Sequence, residues 1–383
     1  MQNLALQTQK TRRGLTSLKL SHFRCYSNLA LNLTEQPVVL TGENGAGKTN
    51  ILEAISFLIP GRGLRRAKLT EIIQQGSQQP WAVATTLSQG NYSTAIGTGL
   101  ETLEEGTERR AVKIDGKKIS GQAPLAQHLN ITWLTPQMDR LFTEGASGRR
   151  KFLDRLVYGF DPTHAQRVNQ YEQALRERRK LVQERRMDPY WLNGLEDTIA
   201  SHGIAILVAR KHVVDELTLA LREAEDHFPQ ATLFMEGVLE TFLDTHSALE
   251  TEDYFRKKLA ETRNLEAETG STPLGAHKSD LIVIFTPKGQ KAAFCSTGEQ
   301  KALLLSIIMA ASRLLSARKH STPLLLLDEV IAHLDVARRS ALFQALVNLN
   351  MQVWLTGTDA VLFEELKDHA QFFHVQAGMV REM

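Results

Sequence analysis

Gly42-Glu43-Asn44-Gly45-Ala46-Gly47-Lys48-Thr49 has the spacing G-x-x-x-x-G-K-[ST] of a phosphate-binding P-loop. The glycines let backbone N–H groups close around phosphate oxygens, and the helix that must follow adds about +0.5 e at its N-terminus. Lys48 is placed to reach the β- and γ-phosphates of a nucleotide such as ATP, and the Thr49 hydroxyl to ligate Mg2+. The stretch from Gly42 through Asn50 is therefore the candidate nucleotide cradle. A second run, Leu324-Leu325-Leu326-Leu327-Asp328-Glu329, suits a strand buried on both faces that ends in two carboxylates. Such an end is where α/β sheets place ligands. Asp328 is a candidate to hold Mg2+, directly or through water, and Glu329 to polarise an attacking water as general base.

These residues need a strand–turn–helix frame, and the flanking sequence supplies it. Val38-Val39-Leu40 reads as a buried strand before the loop, and Ile51, Leu52, Ile55 and Leu58 fall on one side of a helix after it. Leu15–Leu20 and Leu29–Leu33 alternate as strands do, with a turn across Ser21–Asn28, and read as an antiparallel edge leading into the P-loop strand. Short strands are expected at Ala82–Leu87, Ser93–Gly97 and Ala111–Ile114, followed by an Asp115-Gly116 hairpin turn, and at Ile131–Leu134. From about residue 148 the character changes. Arg149–Arg186 holds 11 Lys and Arg against 5 Asp and Glu, and Ile206, Ala209, Val213, Leu217, Ala220 and Ala224 recur at helical spacing. Residues 231–245 suit a strand and the start of a helix, and Tyr254–Glu268 is helical again. Strand character returns at Asp280–Phe285. An apolar helix through Leu304, Ile307, Ile308, Ala311 and Leu315 leads to Pro323 and the leucine strand. A helix over Ala337–Leu349, a strand over Gln352–Leu355, a helix over Ala360–Lys367 and a strand near Phe372–Gln376 complete the chain. The expected fold class is α/β: a P-loop head of residues 15–148 and 271–383, split by a mainly helical insertion lobe of residues 149–270, after a tail at residues 1–14.

Composition narrows the class. Of 383 residues 42% are hydrophobic and 23% charged, with a formal net charge of +2, so partners must be sought in local clusters. Two cysteines, Cys25 and Cys295, exclude a disulfide framework or a cysteine-rich zinc site and suit a reducing cytoplasm. No apolar run approaches 18 residues, so no membrane span is expected, and the polar start lacks a signal peptide's apolar core.

Further motifs follow the order of an ABC-type ATPase head. Ser296-Thr297-Gly298-Glu299-Gln300-Lys301, just before a helix, resembles the ABC signature: a hydroxyl, a small residue and a helix N-terminus able to hold a γ-phosphate. The same residues suit a capping box, Ser296 with Glu299, and the two readings are compatible. Gln137 resembles the Q-loop glutamine, whose amide oxygen can ligate Mg2+. Asp335 in His333-Leu334-Asp335 resembles the D-loop aspartate of a subunit interface. Where ABC transporters carry a switch histidine the text is Leu355-Thr356-Gly357-Thr358-Asp359, and Thr358 takes that position. The 158 residues between Gln137 and Ser296 exceed a transporter's helical subdomain and fall short of the coiled coils of chromosome-maintenance ATPases.

The match then becomes specific. Phe23-Arg24-Cys25-Tyr26, the loop from Gly42 to Asn50, Arg149–Asp154, Ser296–Lys301 and Thr356-Gly357-Thr358 together resemble the bacterial RecF family over essentially residues 15–380. Gly275-Ala276-His277-Lys278 departs from that family's Gly-Pro-His-Arg-like pattern. The resemblance implies a recombination-repair ATPase that dimerises with ATP on double-stranded, gapped or junction DNA and works with RecO and RecR to load RecA. Candidate phosphate contacts are Arg62, Arg65, Arg66 and Lys68, and the stretch around Arg178 and Arg179. The basic stretch is equally well read as a solvated helix face. One chain holds one P-loop and one signature, so a complete site calls for a symmetric homodimer. A transporter motor and a non-hydrolysing junction scaffold are the alternatives. The long insertion and the absent histidine speak against the first, and the paired carboxylates against the second.

Overall fold

Val38–Thr41 and Leu324–Leu327 are buried along their whole length, as unbroken apolar runs require, and both are interior strands of one sheet. The computed structural model describes residues 13–102, 106–186, 188–223, 228–319, 323–349 and 351–383. Of the tail expected at residues 1–14, residues 1–12 lie outside them, as does Ala224 of the expected helix face, while Arg13 and Gly14 already belong to the first strand. The chain groups into two compact units.

The first unit uses residues up to Met138 and from Ala311 onward. Its opening elements are β1 (Arg13–Phe23), β2 (Tyr26–Asn32), β3 (Val38–Thr41), α1 (Lys48–Ser56), β4 (Ala82–Gln89), β5 (Tyr92–Thr102), β6 (Glu108–Ile114), β7 (Lys117–Ile119), α2 (Leu125–His128) and β8 (Ile131–Leu134). β1, β2 and β4–β7 form an antiparallel sheet in the order β2-β1-β4-β5-β6-β7. This corrects the expectation that β1 and β2 edge the P-loop sheet; their partner is β4, through pairs such as Leu20 with Val83. The predicted turn is also tighter, since Phe23 pairs with Tyr26 across Arg24, which takes φ 55°. Asp115 (φ 48°) and Gly116 (φ 77°) make the expected hairpin turn.

The second unit holds most described residues between Asp139 and Ala310. It contains α3 (Ala146–Phe160), α4 (His164–Gln183), α5 (Pro189–Glu223), β9 (Ala231–Glu236), α6 (Val238–Leu243), α7 (Ala248–Glu261), α8 (Arg263–Thr269), β10 (Asp280–Phe285) and β11 (Gln290–Lys291). β9, β10 and β11 form a small antiparallel sheet, so this unit reaches past the expected limit at residue 270. The buried stripe of α5 runs through Leu207, Arg210, Val214, Leu217 and Leu221, while Ala209 and Ala220 are half-buried. Arg210 joins that stripe because its guanidinium meets the buried Asp154 carboxylate twice, each time at 2.8 Å.

α9 (Thr297–Lys319) is followed by β12 (Leu324–Leu327), α10 (Val336–Asn348), β13 (Val353–Gly357), a 3-10 turn at Ala360–Leu366 in place of the expected helix, β14 (Gln371–Gln376) and an unforeseen β15 (Met379–Glu382). Among the described helices only α9 is long and apolar enough to cross a membrane, and 78% of its apolar window is buried within the protein. β14, β3, β13, β12 and β8 lie side by side and parallel, with β15 antiparallel at the edge. Parallel strands present all their C-terminal ends at one edge. Gly42 after β3, Gln137 after β8, Asp328 after β12 and Thr356 in β13 therefore share that edge. Ile51, Leu52 and Ile55 of α1, with Leu58 in the turn just after it, pack in one apolar cluster with Val38, Leu326 and Trp354 of this sheet and Leu18, Val83 and Ile96 of the other. That burial fixes where the P-loop helix begins.

Candidate active site

Two glycines of the loop have no substitute. A Cβ on Gly42 (φ 140°) would lie 2.1 Å from the Val375 carbonyl oxygen, and one on Gly47 (φ 119°) 2.6 Å from the Tyr26 hydroxyl. The Tyr26 hydroxyl donates to the Gly47 carbonyl at 3.1 Å, which ties the start of α1 to the β1–β2 turn. Lys48 is buried. Its ammonium donates to the Gly42 carbonyl at 2.6 Å and the Glu43 carbonyl at 2.9 Å, so it closes the loop on itself. Burial lowers its pKa, and the charges of Glu329 and Asp328 oppose that shift.

The carboxylates sit opposite this lysine at the end of β12. The Asp328 N–H donates to the Leu134 carbonyl at 2.9 Å, pinning it between strands. Its Oδ1 accepts the Thr49 hydroxyl at 3.0 Å and the Thr356 hydroxyl at 2.9 Å. Burial raises the Asp328 pKa; the two hydroxyls pull it down and Glu329 adds to the rise. The Thr356 hydroxyl in turn accepts the Glu329 N–H at 2.8 Å. Glu329 takes φ 53°, the left-handed region that a residue with a side chain enters at a cost, and strain of this kind concentrates at functional sites. Thr356 was missed from the sequence, which pointed to Thr358. Thr358 is exposed one residue past β13, whereas Thr356 is buried and touches both acids. A hydroxyl interrupting the apolar run Val353-Trp354-Leu355 at a sheet's C-terminal edge was the available signal.

Mg2+ fits this oxygen pair. Thr49 Oγ1 and Asp328 Oδ1 lie 3.0 Å apart, about the edge of an octahedron with bonds of about 2.0–2.1 Å. Among the described residues no three His, Cys, Asp or Glu side chains cluster as a metal cage. Gln137 is exposed in a 3-10 turn, Pro136–Arg140, at the same sheet edge.

In the second unit, Ser296 caps α9. Its hydroxyl accepts the Glu299 N–H at 3.3 Å, and the Glu299 carboxylate accepts the Ser296 N–H at 2.9 Å, the reciprocal capping box. Lys288 bonds the same carboxylate at 2.6 Å and, with Ser296, lowers its pKa to about 2. Gln300 is buried and donates to the Cys295 carbonyl at 2.9 Å. Ser296 and Thr297 stay exposed, with open space around Gly298. Asp335 caps α10, accepting the Arg338 N–H at 2.9 Å, and is exposed.

The family model described as RecF/RecN/SMC N terminal domain matches residues 14–381. The chain is 44% identical over 371 residues to the DNA replication and repair protein RecF of Rhizobium leguminosarum bv. trifolii, covering 96% of this chain and 99% of that one. It is 44% identical over 378 residues to the protein of the same name from Brucella suis biovar 1, covering 98% of each. The chain belongs to the RecF family. Its fold is similar to the structure titled RecF-ATPrS in the RecFOR pathway, with a TM-score of 0.84 at 21% identity over 97% of this chain and 99% of that one. It is also similar to the Smc head domain of Pyrococcus furiosus, with a TM-score of 0.54 at 15% identity over 97% and 96%. The fold is that of the ABC-type ATPase head, as expected.

Placing this RecF-family chain's candidate DNA contacts separates them. Arg62, Arg66 and Lys68 are exposed. Arg65 is tied into the nucleotide side of the loop, donating to Asn50 Oδ1 at 2.8 Å and to Glu53 at 3.2 Å. Glu53 is buried and also takes a bidentate pair from Arg24 at 2.7 and 2.9 Å. Arg178 is a correction. It is fully buried, donating to Glu196 at 2.9 Å, Glu266 at 2.5 Å and the Leu259 carbonyl at 2.6 Å, so it has no face for DNA. Its helical register, one turn past Ala174 and Leu175, points it into the core, where a charge survives by pairing. Arg179, next on the helix, is exposed.

Proposed function

We propose that the chain is an ATP-dependent DNA-binding protein of recombination repair whose ATP acts as a dimer switch. The observation that carries this is the hydrogen-bonded run Thr49–Asp328–Thr356–Glu329 beside the Lys48 loop. On binding, the triphosphate takes the place of the Gly42 and Glu43 carbonyls as partner of Lys48, and the N–H groups at the start of α1 hold its oxygens. Thr49 and Asp328 would hold Mg2+, which would supply positive charge to offset developing negative charge. Glu329 holds the attacking water and takes its proton, its backbone held at φ 53° by the Thr356 hydroxyl. Gln137 reports whether nucleotide is bound.

The second half of each site comes from a second copy, whose Ser296–Gln300 helix start faces the γ-phosphate and whose Asp335 lies at the seam. The dimer closes on double-stranded or gapped DNA, with Arg62, Arg66, Lys68 and Arg179 meeting phosphates. Hydrolysis, slow and stimulated by DNA, releases it. The names of the relatives, DNA replication and repair protein RecF, and the RecFOR pathway of the similar structures support work with RecO and RecR, and loading of RecA in the cytoplasm belongs to the same reading. Sizing the protein with ATP and Mg2+, with and without duplex and gapped DNA, tests the reading. Lys48→Met should stay monomeric, and Glu329→Gln should accumulate as a DNA-bound dimer. A Glu329→Gln protein that stays monomeric at saturating ATP and DNA would remove the clamp.

A further inference from the structure

The turn from α4 to α5 carries two exposed aromatic rings beside an excess of positive charge. Leu181, Val182 and Leu192 form a small buried cluster of their own. Asp188 Oδ1 accepts the Tyr190 N–H at 2.9 Å and the Trp191 N–H at 3.3 Å, which starts α5. With Leu192 turned inward, Tyr190 is left 91% exposed and Trp191 57% exposed. The end of α4 is equally defined. The Arg185 N–H donates to the Val182 carbonyl at 3.1 Å and the Arg186 N–H to the Leu181 carbonyl at 2.9 Å. Arg179, Lys180, Arg185 and Arg186 are exposed. Among the described residues only Arg186 of these has an acidic partner, Glu184 at 3.3 Å, and a pair so open to water contributes little.

We infer that this tip binds an unpaired DNA strand, its bases stacking on Trp191 and Tyr190 and its phosphates held by the flanking arginines and Lys180. The inference rests on the DNA-binding reading above for the identity of the polymer, and adds which form of DNA the lobe selects. Charge alone would serve a duplex. Anchored, water-exposed rings beside that charge suit bases whose faces are free, as in single-stranded sites that pair stacking platforms with a basic track. A protein partner is disfavoured by charge: from Arg179 to Trp191 four exposed cations face two anions, and Asp188 is already engaged as the cap.

Trp191 makes the test direct, because Trp81 and Trp354 are buried and Trp133 is half-buried. The full-length protein without nucleotide is titrated with oligo-dT of about 20 nucleotides while tryptophan emission is followed. Emission should be quenched, and Trp191→Phe should lose the quench while still binding. The double variant Y190A/W191A should bind gapped duplex about tenfold more weakly by anisotropy, with ATP-dependent binding to blunt duplex unchanged. Emission unmoved at saturating oligo-dT overturns the inference. So does a double variant that binds gapped DNA like the parent, including one that loses only its association with a protein such as RecR. A parent that is quenched by oligo-dT yet ignores blunt duplex with ATP would overturn the clamp instead and leave this site standing.

Discussion

Thr356→Val removes one hydroxyl and keeps the shape of the side chain. Thr356 is 1% exposed, and its hydroxyl donates to Asp328 Oδ1 at 2.9 Å and accepts the Glu329 N–H at 2.8 Å. The variant leaves the Glu329 N–H facing a methyl group, and an unpaired buried donor costs about 1–3 kcal/mol. Melting should fall by roughly 2–12 °C, taking about 2–4 °C per kcal/mol for a domain of this size. The effect on turnover should be larger. Glu329 is held at φ 53°, a conformation costing about 1–3 kcal/mol, and the bond to Thr356 is what restrains its backbone there. Released, the carboxylate moves, and a displacement of about 1 Å in a reacting group can cost about 100-fold in rate. Asp328 also loses one of the two hydroxyls that oppose the upward push of burial on its pKa, so the acid limb of the pH–rate profile should move to higher pH. ATP turnover, binding of a fluorescent ATP analogue and thermal melting separate these effects. Turnover should fall about 100-fold with nucleotide affinity nearly unchanged, since Lys48 and the loop are untouched. Thr356→Ser should restore most of it. A valine variant with parental turnover, or a serine variant as impaired as valine, would refute the assigned role.

Gly42→Ala drives a Cβ to 2.1 Å from the Val375 carbonyl at φ 140°, so it should abolish nucleotide binding by equilibrium dialysis. Alanine at Arg178 strands Glu266 and half of Glu196's pairing in the core and should cost about 3–5 kcal/mol in urea unfolding. Arg179→Ala should leave stability unchanged and reduce the log–log salt dependence of DNA binding by about one phosphate contact. His277 gives a pH prediction. Burial is the main cause lowering its pKa to about 4, and the ring lies 2.8 Å from the Tyr171 hydroxyl. The unfolded chain then binds a proton between about pH 6.5 and 4 that the folded chain refuses. Stability should be full above pH 6.5 and fall by at most about 3 kcal/mol as pH drops to 4. Melts of the parent and His277→Gln across that window should show a steeper fall in the parent, the difference between the two being the histidine's share.

Most of the site was legible because its parts are local. A P-loop is eight consecutive residues, and the leucine strand with its two acids is six, so each announces itself without the rest of the chain. What was not legible depends on partners far along the sequence. β1 and β2 alternate like any half-buried strands, and nothing in that alternation says that Leu20 pairs with Val83 and not with the P-loop strand. Arg178 looks like its neighbours until Glu196 on α5 and Glu266 on α8 are seen to pair with it. Thr356 was passed over for a similar reason. A threonine ending a buried strand is common, and its significance lies in Asp328, 28 positions earlier.

The same long separations shape how the site is assembled. Thr49, Asp328 and Thr356 meet on one oxygen although 279 positions separate the first two. Gln352 reinforces the arrangement from the far end of the chain. Its side chain accepts the Leu15 N–H at 2.8 Å and donates to the carbonyls of Leu15 at 2.9 Å and Thr34 at 2.7 Å. A buried amide satisfied by three partners in β1 and the loop after β2 is costly to break at any one of them. The parallel sheet interleaves β3 and β8, both before residue 135, with β12, β13 and β14 from the last fifth of the chain. Such pairings must overcome loop-closure entropy before they are rewarded, so they form late. Until Leu324–Gln376 has docked, β3 lacks both neighbours and Lys48 has no acid to face. Competence to bind the triphosphate productively is therefore a property of the completed chain, and the P-loop alone, however clear as a motif, is a cradle without its second wall.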